Sequence, residues 1–525
     1  MKNLHKISKN TIFMIISLNI ILAVVALARD IALASFLGTT AHADAILLAF
    51  FIPDIIGNNL LAAAIGITCV PVFIEVYINK NKQHFNQTVK SITLVLWLMC
   101  LAITITSFIF KDVIIEVMGK GLTSQMKEIS VNLFTIMLPT MLFFPLITIG
   151  TSISNIHNNF KIPAFAPVLF NLVFLSGVIV CFIFNIQKNK AIYGIAFSIT
   201  AGVLAMFFLI WGNIERKGWV KIFDREKVVW ISGEMRSFFK MFTPYAMVLF
   251  AYQIVLYVEK YLASLLAAGT IAGLNYAYRI SQIPLWIFVA ALTTFSFPSI
   301  SKLNETNQTD ELKKSVVKFL KLTLVIILPL TIIIQILRVP IISILFRGGE
   351  FDTNSIDITS GILAGYALAI VGQSIFMISI RFFMAIRHMM IPMQIVVFSS
   401  VINIVADFVL VDLYGSAGLG YGAAIGSVCN GVLLIYFLNR KLELKISKKV
   451  WKLVRIVAAN IPVVISVVLF GKIWGWVDLQ HKTYINLVFG IVVFVICICI
   501  YLFSLQHLKI YEIRNKIFEE KKAIL

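Results

Sequence analysis

Two arginines and a small set of acids and amides stand inside long apolar runs of this chain. Arg29 lies in the run 11–37, eight residues before its end at Leu37, and Arg279 lies seven residues into the run 272–299. An ionisable side chain in such a place is costly and marks a functional position. At roughly 1.5 Å of rise per residue, both would sit about 10–12 Å below one face of a membrane. A guanidinium is a planar fork of donors that grips phosphate oxygens in pairs, so two arginines at matched depth point to a shared anion site. The competing reading is local: Arg29 pairs with its neighbour Asp30, or either side chain reaches out to the surface.

Candidate acidic partners for the arginines are Asp30, Asp44, Asp54, Glu75 and Glu259. Asp44 opens the run 44–78 and could serve only as a helix cap. Asp54 follows Pro53 in mid-run, with Asn58 and Asn59 close behind it. Lys260 follows Glu259 and can neutralise it. Asn403 and Asp407 stand four apart and therefore share a helix face. An acid and an amide oxygen in apolar surroundings can hold Na⁺ or a proton, and Glu259 is a third group of that kind. The same pair can instead join two helices by a hydrogen bond. The six cysteines all sit in apolar runs without metal spacing, and no catalytic constellation is visible among the seven histidines.

The elements that must carry these residues follow from composition. Of 525 residues 60% are hydrophobic and 13% charged, against about 45–50% and 25% in a soluble domain. Such a chain cannot cover a water-facing surface of its size, which excludes soluble enzymes, disordered chains and disulfide-rich secreted domains. The runs are continuous rather than alternating, which excludes a β-barrel. Fourteen segments are long enough to span: 11–37, 44–78, 88–110, 128–155, 162–185, 191–213, 237–262, 272–299, 315–337, 356–384, 390–411, 418–439, 452–471 and 483–505. The fold class is an all-α polytopic membrane protein.

The net charge of +20 would suggest nucleic acid on a soluble protein. Here Lys and Arg are expected to collect in cytoplasmic loops. With the N-terminus inside, 33 of the 45 basic residues fall on the inside, nine fall outside, and three (Arg29, Lys260, Arg279) lie within spans. Both termini are thus expected to be cytoplasmic, with no nucleic-acid partner. Lys2, Lys6 and Lys9 before the first run resemble a signal peptide, but the apolar character resumes after Asp30, which favours a permanent span.

The chain also contains itself twice. Leu33–Pro53 resembles Leu262–Pro284, and Asn155–Pro163 resembles Met384–Pro392, at offsets of 229 to 231 residues. Six segments fall in each copy, so the repeats are parallel, an arrangement in which substrate binds between halves. The expected organisation is a lobe at 1–213, a cytoplasmic linker at 214–236, a second lobe at 237–439, two further helices at 440–505 and a tail at 506–525. No phosphate-binding G-x-x-x-x-G-K-[ST] motif is present. Transport would therefore need no cofactor and would draw on an ion gradient such as Na⁺ or H⁺, the membrane potential or the substrate gradient.

Ala28–Ile56, Cys69–Tyr77, Tyr278–Pro284, Phe297–Lys302 and Ile344–Phe351 resemble the MurJ/MviN family of lipid II flippases, within the multidrug/oligosaccharidyl-lipid/polysaccharide exporter superfamily. The resemblance implies a bundle of six, six and two helices in the bacterial cytoplasmic membrane, the last pair offering a groove for a lipid tail. It implies translocation of an undecaprenyl-pyrophosphate-linked peptidoglycan precursor from the inner to the outer leaflet, for cell-wall synthesis. It implies no catalytic activity. Partners would be the lipid-linked glycan, membrane lipids and cell-wall synthesis proteins. Arg29 and Arg279 match family arginines thought to hold the pyrophosphate, and Asp44 matches a family acid. The chain departs from the family where Ala23 and Ala26 replace an Arg and a Gly, and where Gly57-Asn58-Asn59 replaces an Arg pair. Asn58 and Asn59 would then substitute as hydrogen-bond donors beside Asp54. The alternatives are a flippase for another polyprenyl-linked saccharide, an antiporter, and a non-transporting scaffold of a cell-wall complex.

Overall fold

The computed structural model describes residues 9–220, 228–229, 232–306, 308–386, 388–444, 456, 458–476 and 483–507. Among them there are helices and no strand, only a bridge between Gly348 and Phe351. A bilayer offers no water to backbone groups, and a helix satisfies its own. In order, the elements are α1 (Lys9–Leu37), α2 (Ala41–Pro53), a π-helical segment π1 (Asp54–Ala62), α3 (Ala63–Asn79), α4 (Lys82–Ile109), α5 (Lys111–Met118), α6 (Ser124–Met137), α7 (Thr140–Ile156), α8 (Lys161–Ile183), α9 (Lys188–Arg216) and α10 (Gly233–Ser264). Then come α11 (Thr270–Pro284), a second π-helical segment π2 (Leu285–Val289), α12 (Ala290–Glu305), α13 (Thr309–Ile336), α14 (Arg338–Phe346), α15 (Thr353–Ala385), α16 (Met390–Tyr414), α17 (Ser416–Leu442), α18 (Ile461–Trp476) and α19 (Thr483–His507).

Eleven helices among the described residues are long and apolar enough to cross a membrane. Each overlaps one of the fourteen expected segments. The other three expected segments fall on helical stretches, Thr270–Glu305, α18 and α19, while residues 452–455 and 457 of the thirteenth lie outside the described residues. The surfaces of these helices are apolar: Phe13, Ile20 and Val24 on α1 and Met390, Phe398, Val405 and Leu413 on α16 are all exposed. Water would penalise such faces and lipid does not.

The contacts divide the chain into two units. The first is Met1–Ala272 with Gly348–Phe351, and the second is Gly273–Arg347 with Asp352–Leu525. In the first, Phe73, Phe85, Val89 and Ile149 form a core that also takes in Phe238 and Phe242 of α10. In the second, α15 and α17 touch backbone to backbone. A Cβ on Gly365 would run into the main chain of Gly420, and one on Gly372 into that of Ser427. Helices in lipid have no hydrophobic drive to associate and rely on such close approach.

The internal repeat reappears in the backbone geometry. Each π segment begins on the residue after the matched proline, π1 after Pro53 and π2 after Pro284. Proline lacks the N–H that would continue the ladder. The widened turns that follow recur often at functional sites.

Another proline ties down the C-terminal helices. Pro329 sits inside α13, so the carbonyl of Val325, four residues earlier, has no amide to accept from. The hydroxyl of Tyr501 on α19 donates to it at 2.7 Å. Val325 and Tyr501 belong to one buried cluster with Val463, Val467 and Cys497. Tyr501→Phe should therefore lower stability by about 1 kcal/mol. The loss should shrink in a Pro329→Ala background, where residue 329 supplies the missing N–H. Unfolding midpoints of the four proteins in detergent check this, and equal losses in both backgrounds would refute it.

Candidate functional site

Arg29 comes to rest in a socket within the first unit. It is 8% exposed. Its Nε and Nη2 donate to Asp30 Oδ1 at 2.9 and 2.6 Å. Its Nη1 donates to Asn171 Oδ1 at 2.7 Å, and its Cζ lies 4.8 Å from the ring centre of Phe174. Asn171 and Phe174 stand three apart on α8 and so share a face. The local pairing with Asp30 is present, and sequence reasoning missed Asn171 and Phe174. An asparagine four residues after Pro167 in an otherwise apolar run was the available signal.

Asp44 is fully buried and serves as a cap for α11 rather than for its own helix. Its Oδ2 accepts from Gly269 N–H at 2.6 Å and its Oδ1 from Ala272 N–H at 2.8 Å. Helix N-termini leave such donors without partners and favour an anion. Gly269 takes φ +92° and lies against the main chain of Thr39, a conformation and a contact that leave no room for a side chain. The same turn is held by Lys260, whose Nζ donates to the carbonyl of Ile271 at 3.4 Å. Lys260 Nζ lies 5.7 Å from the ring centre of Phe51. Glu259 and Lys260 are both buried.

In π1 the structure joins three of the expected residues. Asn58 Nδ2 donates to Asp54 Oδ1 and Asn59 Nδ2 to Asp54 Oδ2, both at 3.0 Å. Asn58 is exposed, Asp54 and Asn59 half-buried. In the second unit Arg279 is half-buried, and its Cζ lies 5.6 Å from the ring centre of Trp286 on π2. A cation over an indole face is held by the ring quadrupole. Trp286 was not foreseen.

Asn403 and Asp407 lie along α16 where α17 presents Gly422 and Gly426. A Cβ at Gly422 would strike the Asp407 carboxylate, and one at Gly426 the Asn403 side chain. Asp407 is fully buried, and Asn403 Oδ1 has no hydrogen-bond partner among the described residues. The GxxxG of α17 thus makes room for these polar side chains as well as for a helix. Arg29, Asp44, Asp54, Asn58, Asn59 and Glu259 belong to the first unit, and Arg279, Asn403 and Asp407 to the second.

This is a bundle whose spans carry fixed cations and held carboxylates. Comparison with known proteins gives it a family: the sequence model described as "Lipid II flippase MurJ" matches residues 33–495. The chain belongs to the MurJ family. It is 25% identical over 426 residues to the lipid II flippase MurJ of Burkholderia cenocepacia, covering 80% of this chain and 81% of that protein. It is 26% identical over 462 residues to a probable lipid II flippase MurJ of Buchnera aphidicola, covering 87% and 89%. Among solved structures it matches "Lipid II flippase MurJ, inward closed conformation" with a TM-score of 0.75 at 23% identity, covering 94% and 99%. It also matches an inward-facing multidrug resistance MATE transporter of the MOP superfamily with a TM-score of 0.69 at 16% identity, covering 82% and 98%. At these identities the structures establish a shared fold. MurJ is a family of flippases, not of catalytic enzymes, and this member is a multi-pass membrane protein.

Removing the Asp44 carboxylate strands two buried N–H groups, at about 1–3 kcal/mol each. Asp44→Ala should lower the unfolding midpoint in detergent strongly. Asp44→Asn, which keeps one acceptor oxygen, should fall between. An Asp44→Ala protein as stable as the unmodified chain would dismiss the capping role.

Proposed function

We propose that this MurJ-family protein is a lipid II flippase, carrying undecaprenyl-pyrophosphate-linked peptidoglycan precursor from the inner to the outer leaflet by alternating exposure of a polar cavity. The observation that carries the reading is the family match over residues 33–495, joined to guanidinium groups held at Arg29 on α1 and Arg279 on α11. A pyrophosphate is doubly charged or more, and an arginine fork meets its oxygens in pairs. In this reading Arg29 and Arg279 hold the pyrophosphate. The Asp54, Asn58 and Asn59 cluster offers neutral donors and acceptors to the polar head group. Asp44 fixes the start of α11, and the polyprenyl tail stays in lipid along α18 and α19. With no nucleotide-binding motif in the sequence, transport in this reading draws on an ion gradient, the membrane potential or the substrate gradient.

The reading is tested in cells depleted of their own lipid II flippase. The chain should restore growth. Arg29→Ala and Arg279→Ala should each reduce rescue severely while the proteins still accumulate in the membrane. A chain that reaches the membrane without rescuing sinks the substrate assignment, and alanine variants that rescue fully sink the arginine site.

Asn403 and Asp407, with Glu259 as a further acid, support a second part of the reading, a cation that drives the cycle. Asn403 Oδ1, without a hydrogen-bond partner among the described residues and four residues from a buried carboxylate, is a hard-oxygen arrangement suited to Na⁺. Sodium should raise the unfolding midpoint of the unmodified protein relative to equal choline. Asp407→Asn should abolish the difference, and an equal sodium response in that variant would reject this role for Asp407.

A further inference from the structure

We propose that Asn171 is a positioning residue for the anion site: it fixes the Arg29 guanidinium as a neutral acceptor, without adding a second negative charge to the one that Asp30 already supplies. The proposal rests on the reading of Arg29 as a pyrophosphate ligand. A guanidinium on a flexible stem carries rotamer freedom, and a site that binds through it gains when that freedom is removed beforehand.

The socket does this from three sides. Phe174 covers one face of the guanidinium, Asp30 takes the Nε edge, and Asn171 takes Nη1. The amide of Asn171 is itself fixed, because its Nδ2 donates to the carbonyl of Pro167 at 2.8 Å. Turned over, the amide would set its NH₂ against the guanidinium, donor against donor. Asn171 and Phe174 are both buried, so water does not compete for these positions. Asp30 already supplies one carboxylate to Arg29. A second carboxylate at 171 would hold the guanidinium at least as firmly and leave a net negative pocket, which repels phosphate. An amide orients without repelling.

That contrast separates positioning from mere structural support. The test uses full-length protein in detergent, titrated with undecaprenyl pyrophosphate by microscale thermophoresis, with unfolding midpoints of the unliganded proteins measured in parallel. Asn171→Asp is expected to keep the midpoint and weaken Kd at least tenfold. Asn171→Leu, which removes the acceptor, is expected to weaken Kd as well. Arg29→Ala is expected to lose most binding. If N171D binds as tightly as the unmodified chain, the proposal is overturned while the Arg29 reading stands. If R29A binds unchanged, it is the Arg29 reading that fails. Should N171D not fold, N171L decides on the same titration, where an unchanged Kd overturns the proposal. Affinity losses that merely track falling midpoints across the two variants assign a structural role and overturn it too.

Discussion

A charge surrounded by hydrocarbon persists only where a partner stands within hydrogen-bonding reach, and this constraint governs the interior of the molecule. Moving an unpaired ion out of water costs several kcal/mol even after relaxation. The described spans meet that cost by pairing. Arg29 leans on Asp30 and Asn171, Asp54 on Asn58 and Asn59, and Asp44 on the amides that open α11. These pairings require particular helix contacts. The Arg29 socket needs α8 against α1, and the Asp44 cap needs α2 against the turn before α11.

The architecture was legible in the sequence because lipid imposes a long apolar period that no other environment requires. Eleven of the expected spans coincide with membrane-length helical stretches among the described residues, and the duplicated prolines Pro53 and Pro284 stand in the sequence as a repeat. Side-chain partners were legible only when they were neighbours in sequence, as with Arg29 and Asp30. Asn171 lies 142 residues from Arg29 and Gly269 lies 225 residues from Asp44. No local pattern encodes such distances. Asp44 shows the difference well. Its chemistry, a carboxylate near a helix start, was readable, while the identity of the helix was a matter of tertiary structure.

Asn403, Asp407, Gly422 and Gly426 make the complementary point. In sequence they are two unrelated signals, a polar pair and a small-residue motif. In space the absence of two Cβ atoms on α17 creates the volume that the polar side chains of α16 fill. A close-packing motif and a polar cluster are here one feature, because a tight helix crossing excludes lipid and thereby gives an acid a place to be buried.

The π segments carry a consequence for how such sequences are compared. In a turn closed from i to i+5 each residue advances by a smaller angle than in an α-helix. Side chains beyond π1 therefore emerge on a different azimuth from the one a 3.6-residue period predicts across Pro53. A lag of the same sense follows Pro284, over five residues rather than nine. Both halves thus fall out of step with an ideal helix after the matched proline. An inserted or deleted residue at this point in a relative would be absorbed as a change of phase, not as a broken span.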